Sequence, residues 1–152
     1  MLSRRALTDL LLATVKAKTN YPVGDADHPD PPYGWTAQSG APGSSFKPYS
    51  ILNPQSSGTA QGPFSDTHAD WRLTYTLSSY GTNRTQCEWI NDLARSALYE
   101  LKKETFDGVD GTYQIMQVRT ENIGGIVRSD VVEPATFGQT DTYVVWITKE
   151  IE

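Results

Sequence analysis

Cysteine occurs once in 152 residues, at Cys87, so an intrachain disulfide is excluded and no multi-cysteine metal site can form. Basic residues are few as well. Thirteen Lys and Arg face eighteen Asp and Glu, for a net charge of −5, and the only adjacent basic pairs are Arg4-Arg5 and Lys102-Lys103. That balance argues against nonspecific nucleic-acid binding through a basic face. Long apolar runs are missing too: none approaches the roughly 20 residues of a membrane-spanning helix. Met1 to Arg5 followed by Leu10, Leu11 and Leu12 resembles a short signal peptide only superficially. Thr8 and Asp9 interrupt the run, Lys16 and Lys18 follow it, and the segment reads as a soluble amphipathic helix. Neither G-x-G-x-x-G, nor G-x-x-x-x-G-K-S/T, nor a G-x-S-x-G elbow occurs, so no phosphate cradle or activated serine is announced. No cofactor is expected.

What is present is a strand–turn–helix unit from Asp70 to Leu101. Trp71, Leu73, Tyr75 and Leu77 alternate with Arg72, Thr74 and Thr76 at the period of a half-buried strand. After Gly81 the period changes. Ile90, Leu93, Ala94, Ala97, Leu98 and Leu101 recur at three- and four-residue steps, with Asn91, Asp92, Arg95 and Glu100 mostly outside that helical stripe. Two starts fit this helix, Asn83 with Gln86 or Thr85 with Glu88, and its end is expected near Thr105.

An N-terminal helix is expected from Ser3 to about Lys18, with Asn20 and Pro22 just beyond it. From 22 to 47 prolines and glycines deny regular pairing, which predicts a long loop. Hydrophobic residues are 38% and charged residues 20% of the chain, a deficit this Gly/Pro/Ser/Asp-rich insert explains, so the ordered part is smaller than the whole. Tyr49 to Asn53 reads as a strand stopped by Pro54, and Thr112 to Thr120 as another, with Tyr113, Ile115 and Gln117 opposing Gln114, Met116 and Val118. Ile126 and Val127 extend it toward a hairpin. Asp141 to Ile151, with Tyr143 to Ile147 almost continuously β-forming, reads as a strand inside a sheet. The expectation is one α+β domain over 1–152, a mainly antiparallel sheet of about four strands with two helices packed on one face, in the order α-β-β-α-β-β.

Chemistry-bearing clusters are weak. Asp25, Asp27, His28 and Asp30 crowd one loop, but their spacing is not that of an EF-hand, and solvated loop acids are the default reading. His68, near Asp66 and Asp70, is read as a surface histidine. Cys87 sits in the first turns of a helix, where the dipole favours a thiolate, yet no histidine neighbours it and a small packing residue is the simpler role. The chain is therefore not expected to be an enzyme. Partner or subunit contacts are expected instead at Tyr33, Trp35 and Phe46, which with Tyr49 make the long loop aromatic, and at Arg72, Thr74 and Thr76 on the polar strand face. The alternatives are rings folded back onto the chain's own sheet and plainly solvated polar residues.

The block from Trp71 to Ile90 resembles the tail terminator proteins of long-tailed bacteriophages. Pro22-Val23-Gly24-Asp25, Pro48-Tyr49-Ser50-Ile51-Leu52 and Gly62-Pro63-Phe64-Ser65-Asp66 are similar to stretches of that family. So is the helix start from Thr82 to Trp89, although Arg84-Thr85 departs from the family's order. The resemblance implies a small α+β subunit that forms a hexameric ring, caps the tail tube, ends its polymerisation and offers the surface that joins the head. The implied partners are further copies of the chain, the tail tube protein and a head-completion or connector protein, at the head-proximal end of the virion tail, with no membrane involved. DNA would pass through the lumen without specific binding, which an acidic chain suits. A closed ring needs only one heterologous contact repeated until it meets itself. Two other readings stand beside this one: a head-completion adaptor, and a metal-dependent enzyme using Asp25, Asp27 and Asp30.

Overall fold

The structure, a computed structural model, describes residues 4–27, 34–35, 46–61, 70–109, 111–129 and 136–149. Helix α1 (Arg4–Thr19) turns Leu7, Thr8, Leu11, Val15 and Thr19 inward. It ends where Asn20 adopts φ 62°, a left-handed conformation that asparagine tolerates, and donates its N–H to the Lys16 carbonyl. Helix α2 (Arg84–Tyr99) uses the first of the two expected starts. The Asn83 side chain accepts from the Gln86 N–H at 2.8 Å, and the Gln86 side chain accepts from the Thr82 N–H at 2.8 Å.

The strands are β1 (Val23–Asp25), β2 (Gly34–Trp35), β3 (Phe46–Lys47), β4 (Tyr49–Gln61), β5 (Asp70–Gly81), β6 (Thr105–Asp107), β7 (Thr112–Ile123), β8 (Val127–Ser129) and β9 (Thr136–Lys149). Seven of them form one sheet in the order β1-β4-β5-β9-β7-β6. Strand β8 pairs with β9 beyond the end of β7, and β2 pairs only with β3. All the pairings are antiparallel except β1 with β4.

The four long strands are the four expected, but the sheet is not four-stranded and the element order is not α-β-β-α-β-β. The additional β1, β6 and β8 are three residues each, too short to carry a period, and β1 brings in a parallel pair. Strand β1 and the β2–β3 ribbon also lie inside the stretch read as loop. Strand β4 does not stop at Pro54. It runs on to Gln61 through an irregularity in which the pairing with β5 passes from Pro54 to Gly58, the kind of place where a sheet accepts proline. Helix α2 does not reach Thr105, which opens β6. In β7 the pairing with β9 skips Met116, so Gln117 and not Val118 faces outward, and Val118 joins Tyr113 and Ile115 in the core.

Both helices pack on one face of this sheet. Leu7, Leu11 and Val15 of α1 and Ala94, Ala97 and Leu98 of α2 meet Leu52, Leu73, Leu77, Ile115, Val145 and Ile147. The buried Thr8 hydroxyl is satisfied by Tyr75 Oη at 3.1 Å. The strand β9, lying between β5 and β7, is covered by the helices on one side and flanked on both edges, which is why its sequence is so densely β-forming.

Candidate interaction surface

The face of the sheet away from the helices is built by register. Residues paired directly across antiparallel strands point the same way. Arg72 pairs with Trp146 and Trp146 with Gln117, while Thr74 pairs with Val144 and Val144 with Arg119. Thr76 stands opposite Asn53 and Thr142, Ser78 opposite Ile51 and Thr140, and Tyr80 opposite Tyr49 and Gly138. Neither helix covers this surface.

At one end the Arg72 guanidinium lies 5.4 Å from the centroid of the Trp146 ring and reaches Glu121 Oε1 at 3.3 Å. The Glu121 carboxylate is within that reach because the pairing of β7 with β9 skips it, between Thr120 and Asn122. Val144 is only 3% exposed although it stands on this outer face. Together with Arg72, Arg119, Glu121 and Trp146 it lines a cleft of about 260 Å³. At the other end the Tyr49 and Tyr80 rings stack at 4.9 Å. Tyr80 lies flat over Gly138, where a Cβ would stand 2.9 Å from its ring. Between the two ends runs a flat strip of hydroxyls, with Ser78 and Thr140 bonded at 2.8 Å and Thr76 donating to the Asn53 carbonyl at 3.4 Å.

Of the residues expected to make contacts, Arg72, Thr74 and Thr76 thus share one half-buried face that, among the described residues, neither helix covers. Tyr33 lies outside the described residues. Trp35 and Phe46 are paired in the β2–β3 ribbon, and their side chains lie outside the described part. Trp146, Val144, Arg119 and Glu121 were missed. The run from Tyr143 to Ile147 is apolar on both faces, and only the register with β5 shows that Trp146 meets Arg72 and turns away from the core.

The opposite face of the sheet holds a buried polar network against α2. Ser50 and Ser79 hydroxyls lie 3.2 Å apart and Ser79 donates to Asn91 Oδ1 at 3.1 Å. Asn91 Nδ2 and Arg95 Nη2 both donate to Asp141 Oδ2, at 2.8 and 2.7 Å. The Gly124 N–H and the Tyr143 hydroxyl, at 3.2 and 3.3 Å, complete the shell around this fully buried carboxylate. Asn91 therefore does not lie outside the helical stripe as its sequence position suggested. It is buried, because Asp141 and Ser79 satisfy it. Burial, then the Asp141 charge, pushes the Tyr143 phenol above its usual range, so it stays a neutral donor here.

Cys87 is buried and donates to the Ser79 carbonyl. Burial pushes its thiol up to about 11, with the Glu88 and Asp141 charges adding, so the helix dipole does not make it a thiolate. The native chain is expected to resist a thiol reagent at pH 8 and to react at once in urea. Because the unfolded thiol ionises first, near about 8.5, the Cys87 contribution to stability is full below that pH and declines as the pH rises toward about 11. Urea midpoints measured from pH 8 to 11 check this, and Cys87→Ala is expected to flatten the slope.

Asp25, part of the acidic loop cluster, is engaged by Arg5 at 2.6 Å, while His28 and Asp30 lie outside the described residues, as do Asp66 and His68. Among the described residues no group of three or more His, Cys, Asp and Glu side chains converges as a metal site, and no helix is long and apolar enough to cross a membrane.

No family model matches the chain and no curated protein matches it in sequence. Its fold is shared with solved structures. A chain from the virion of a native gene transfer agent particle superposes with a TM-score of 0.57 at 11% identity, over 97% of this chain and 95% of that one. A second solved chain matches with a TM-score of 0.50 at 12% identity, over 98% of this chain and 94% of its own length. The likeness extends over nearly the whole length of each chain and is one of overall fold.

Proposed function

We propose that this chain is a structural protein of a phage-type virion and, more finely, a tail terminator. Six copies form a ring that caps the tail tube, ends its polymerisation and presents the head-joining surface. The observation that carries this reading is the whole-length fold likeness to a chain of a gene transfer agent virion. The resemblance of the segment from Trp71 to Ile90 to tail terminators supports the finer step. The open sheet face supports it too, since a ring subunit needs polar surface left for neighbours. The chain acts by binding and not by turnover, with copies of itself, the tail tube and the head-side connector as partners. A net charge of −5 lets DNA pass the lumen without adhering.

Electron microscopy of particles assembled without this protein tests the reading. Headless tubes of uncontrolled length are expected. Tails of normal length that fail only at head attachment would favour the head-completion adaptor, and intact particles would overturn a virion role.

A further inference from the structure

The open sheet face is half of a contact, and the chain carries a surface that fits the other half. We propose that copies of this chain join head to tail, the outer face of α2 in one copy seating Glu88, Trp89 and Asp92 on the Arg72–Arg119–Trp146 end of the next copy's open sheet face. This rests on the ring reading and names the two surfaces that would make it.

The two faces lie on opposite sides of a two-layer protomer, since α2 buries Ile90, Ala94 and Leu98 against the sheet and turns Glu88, Trp89 and Asp92 to solvent. A contact between them is heterologous, the type that closes a ring when the rotation between copies suits it.

Charge matches across it. Among the described side chains the sheet end carries Arg72 and Arg119 against Glu121, a surplus of one positive charge. The helix face carries Glu88 and Asp92 against Arg84, a surplus of one negative charge, because Arg95 is held by the buried Asp141. The ion pairs now made by these groups, Arg84 with Glu88, Arg95 with Asp92 and Arg72 with Glu121, have exposed members, and such pairs contribute little. They exchange for intermolecular partners at small cost.

Shape and size agree. Trp89 packs against the Tyr21 ring, with centroids 5.8 Å apart, and is still 45% exposed, a common state for an interface anchor. The cleft beside Trp146, about 260 Å³ with Val144 in its wall, is smaller than the sites that hold free ligands and suits a single inserted side chain.

Two charge-reversal variants test the pairing, R72E/R119E on the sheet face and E88R/D92R on the helix face, with assembly read by native mass spectrometry and sedimentation, alone and with tail tubes. Arg72, Arg119 and Glu88 are outside the buried network, Asp92 touches it only through Arg95 Nη1 at 3.3 Å, and unchanged thermal midpoints verify folding. Each variant alone is expected to associate at least tenfold more weakly than the wild type, and a one-to-one mixture to assemble again, because every junction then joins opposite charges. Wild-type assembly by either single variant, or failure of the mixture to recover, overturns the assignment of faces and leaves the ring reading standing. A wild-type chain that stays monomeric at every concentration, tubes present or absent, overturns both.

Discussion

Asp141→Ala is expected to remove about 3–5 kcal/mol of folding stability, the usual effect of taking one partner from a buried ion pair. Asp141 has no exposed surface and receives donors from three parts of the chain: Asn91 and Arg95 on α2, Gly124 at the end of β7, and Tyr143 on its own strand. Alanine takes this acceptor from Asn91 Nδ2, Arg95 Nη2 and the Tyr143 hydroxyl at once, while the Gly124 N–H keeps the Thr140 carbonyl. Arg95 suffers most, since its Nε is already buried without a partner among the described residues. For a domain whose whole stability is about 5–15 kcal/mol, that is a large share. Asp141→Asn keeps the shape and loses the charge, so its effect is expected to fall between alanine and wild type. Urea midpoints at neutral pH measure both. A loss below about 1 kcal/mol for alanine, the worth of an ordinary hydrogen bond, would show that the network does not hold α2 to the sheet.

Gly124→Ala is expected to be damaging as well, by a different mechanism and in one place. A Cβ at Gly124 would collide with the Thr140 carbonyl oxygen, a backbone atom that cannot swing aside. The Gly124 N–H also donates to that oxygen at 3.0 Å, so the close approach is what carries the chain from β7 into β8 along the same edge of β9. Relieving the clash means pulling the ribbon off β9, at a cost of about 1–3 kcal/mol or more. Amide hydrogen exchange is expected to speed up at Val127 to Ser129 while the core amides of β5 stay protected. Gly125→Ala is the internal control. Nothing lies within 4 Å of a Cβ there, so the change is expected to stay within about 0.5 kcal/mol, as for ordinary surface substitutions. Equal effects at the two glycines would refute the packing argument.

The parts of this fold that sequence periodicity reveals are those long enough to have a period. The alternation from Trp71 to Leu77 and the stripe from Ile90 to Leu98 became β5 and α2 with their expected faces buried. Strands β1, β6 and β8 escaped because three residues complete no pattern, and Val118 was set on the wrong face because a single skipped residue at Met116 reverses the alternation. Asn91 and Asp141 escaped for a deeper reason. A buried polar side chain is tolerated only through its partners, and Asn91 and Asp141 are 50 residues apart. At the surface, Arg72, Thr74 and Thr76 could be chosen as a polar strand face, but Trp146, Val144, Arg119 and Glu121 belong with them only through the β5–β9–β7 register.

The most direct test of the central claim, a ring-forming virion protein at the head end of a tail, is to locate and count the chain in purified particles by gold labelling and quantitative mass spectrometry. The expected result is label confined to the head–tail junction and a fixed number of copies per particle, as one closed ring requires, near six for the proposed ring. Particles that purify without the chain, or copies spread along the tail in proportion to its length, would contradict it.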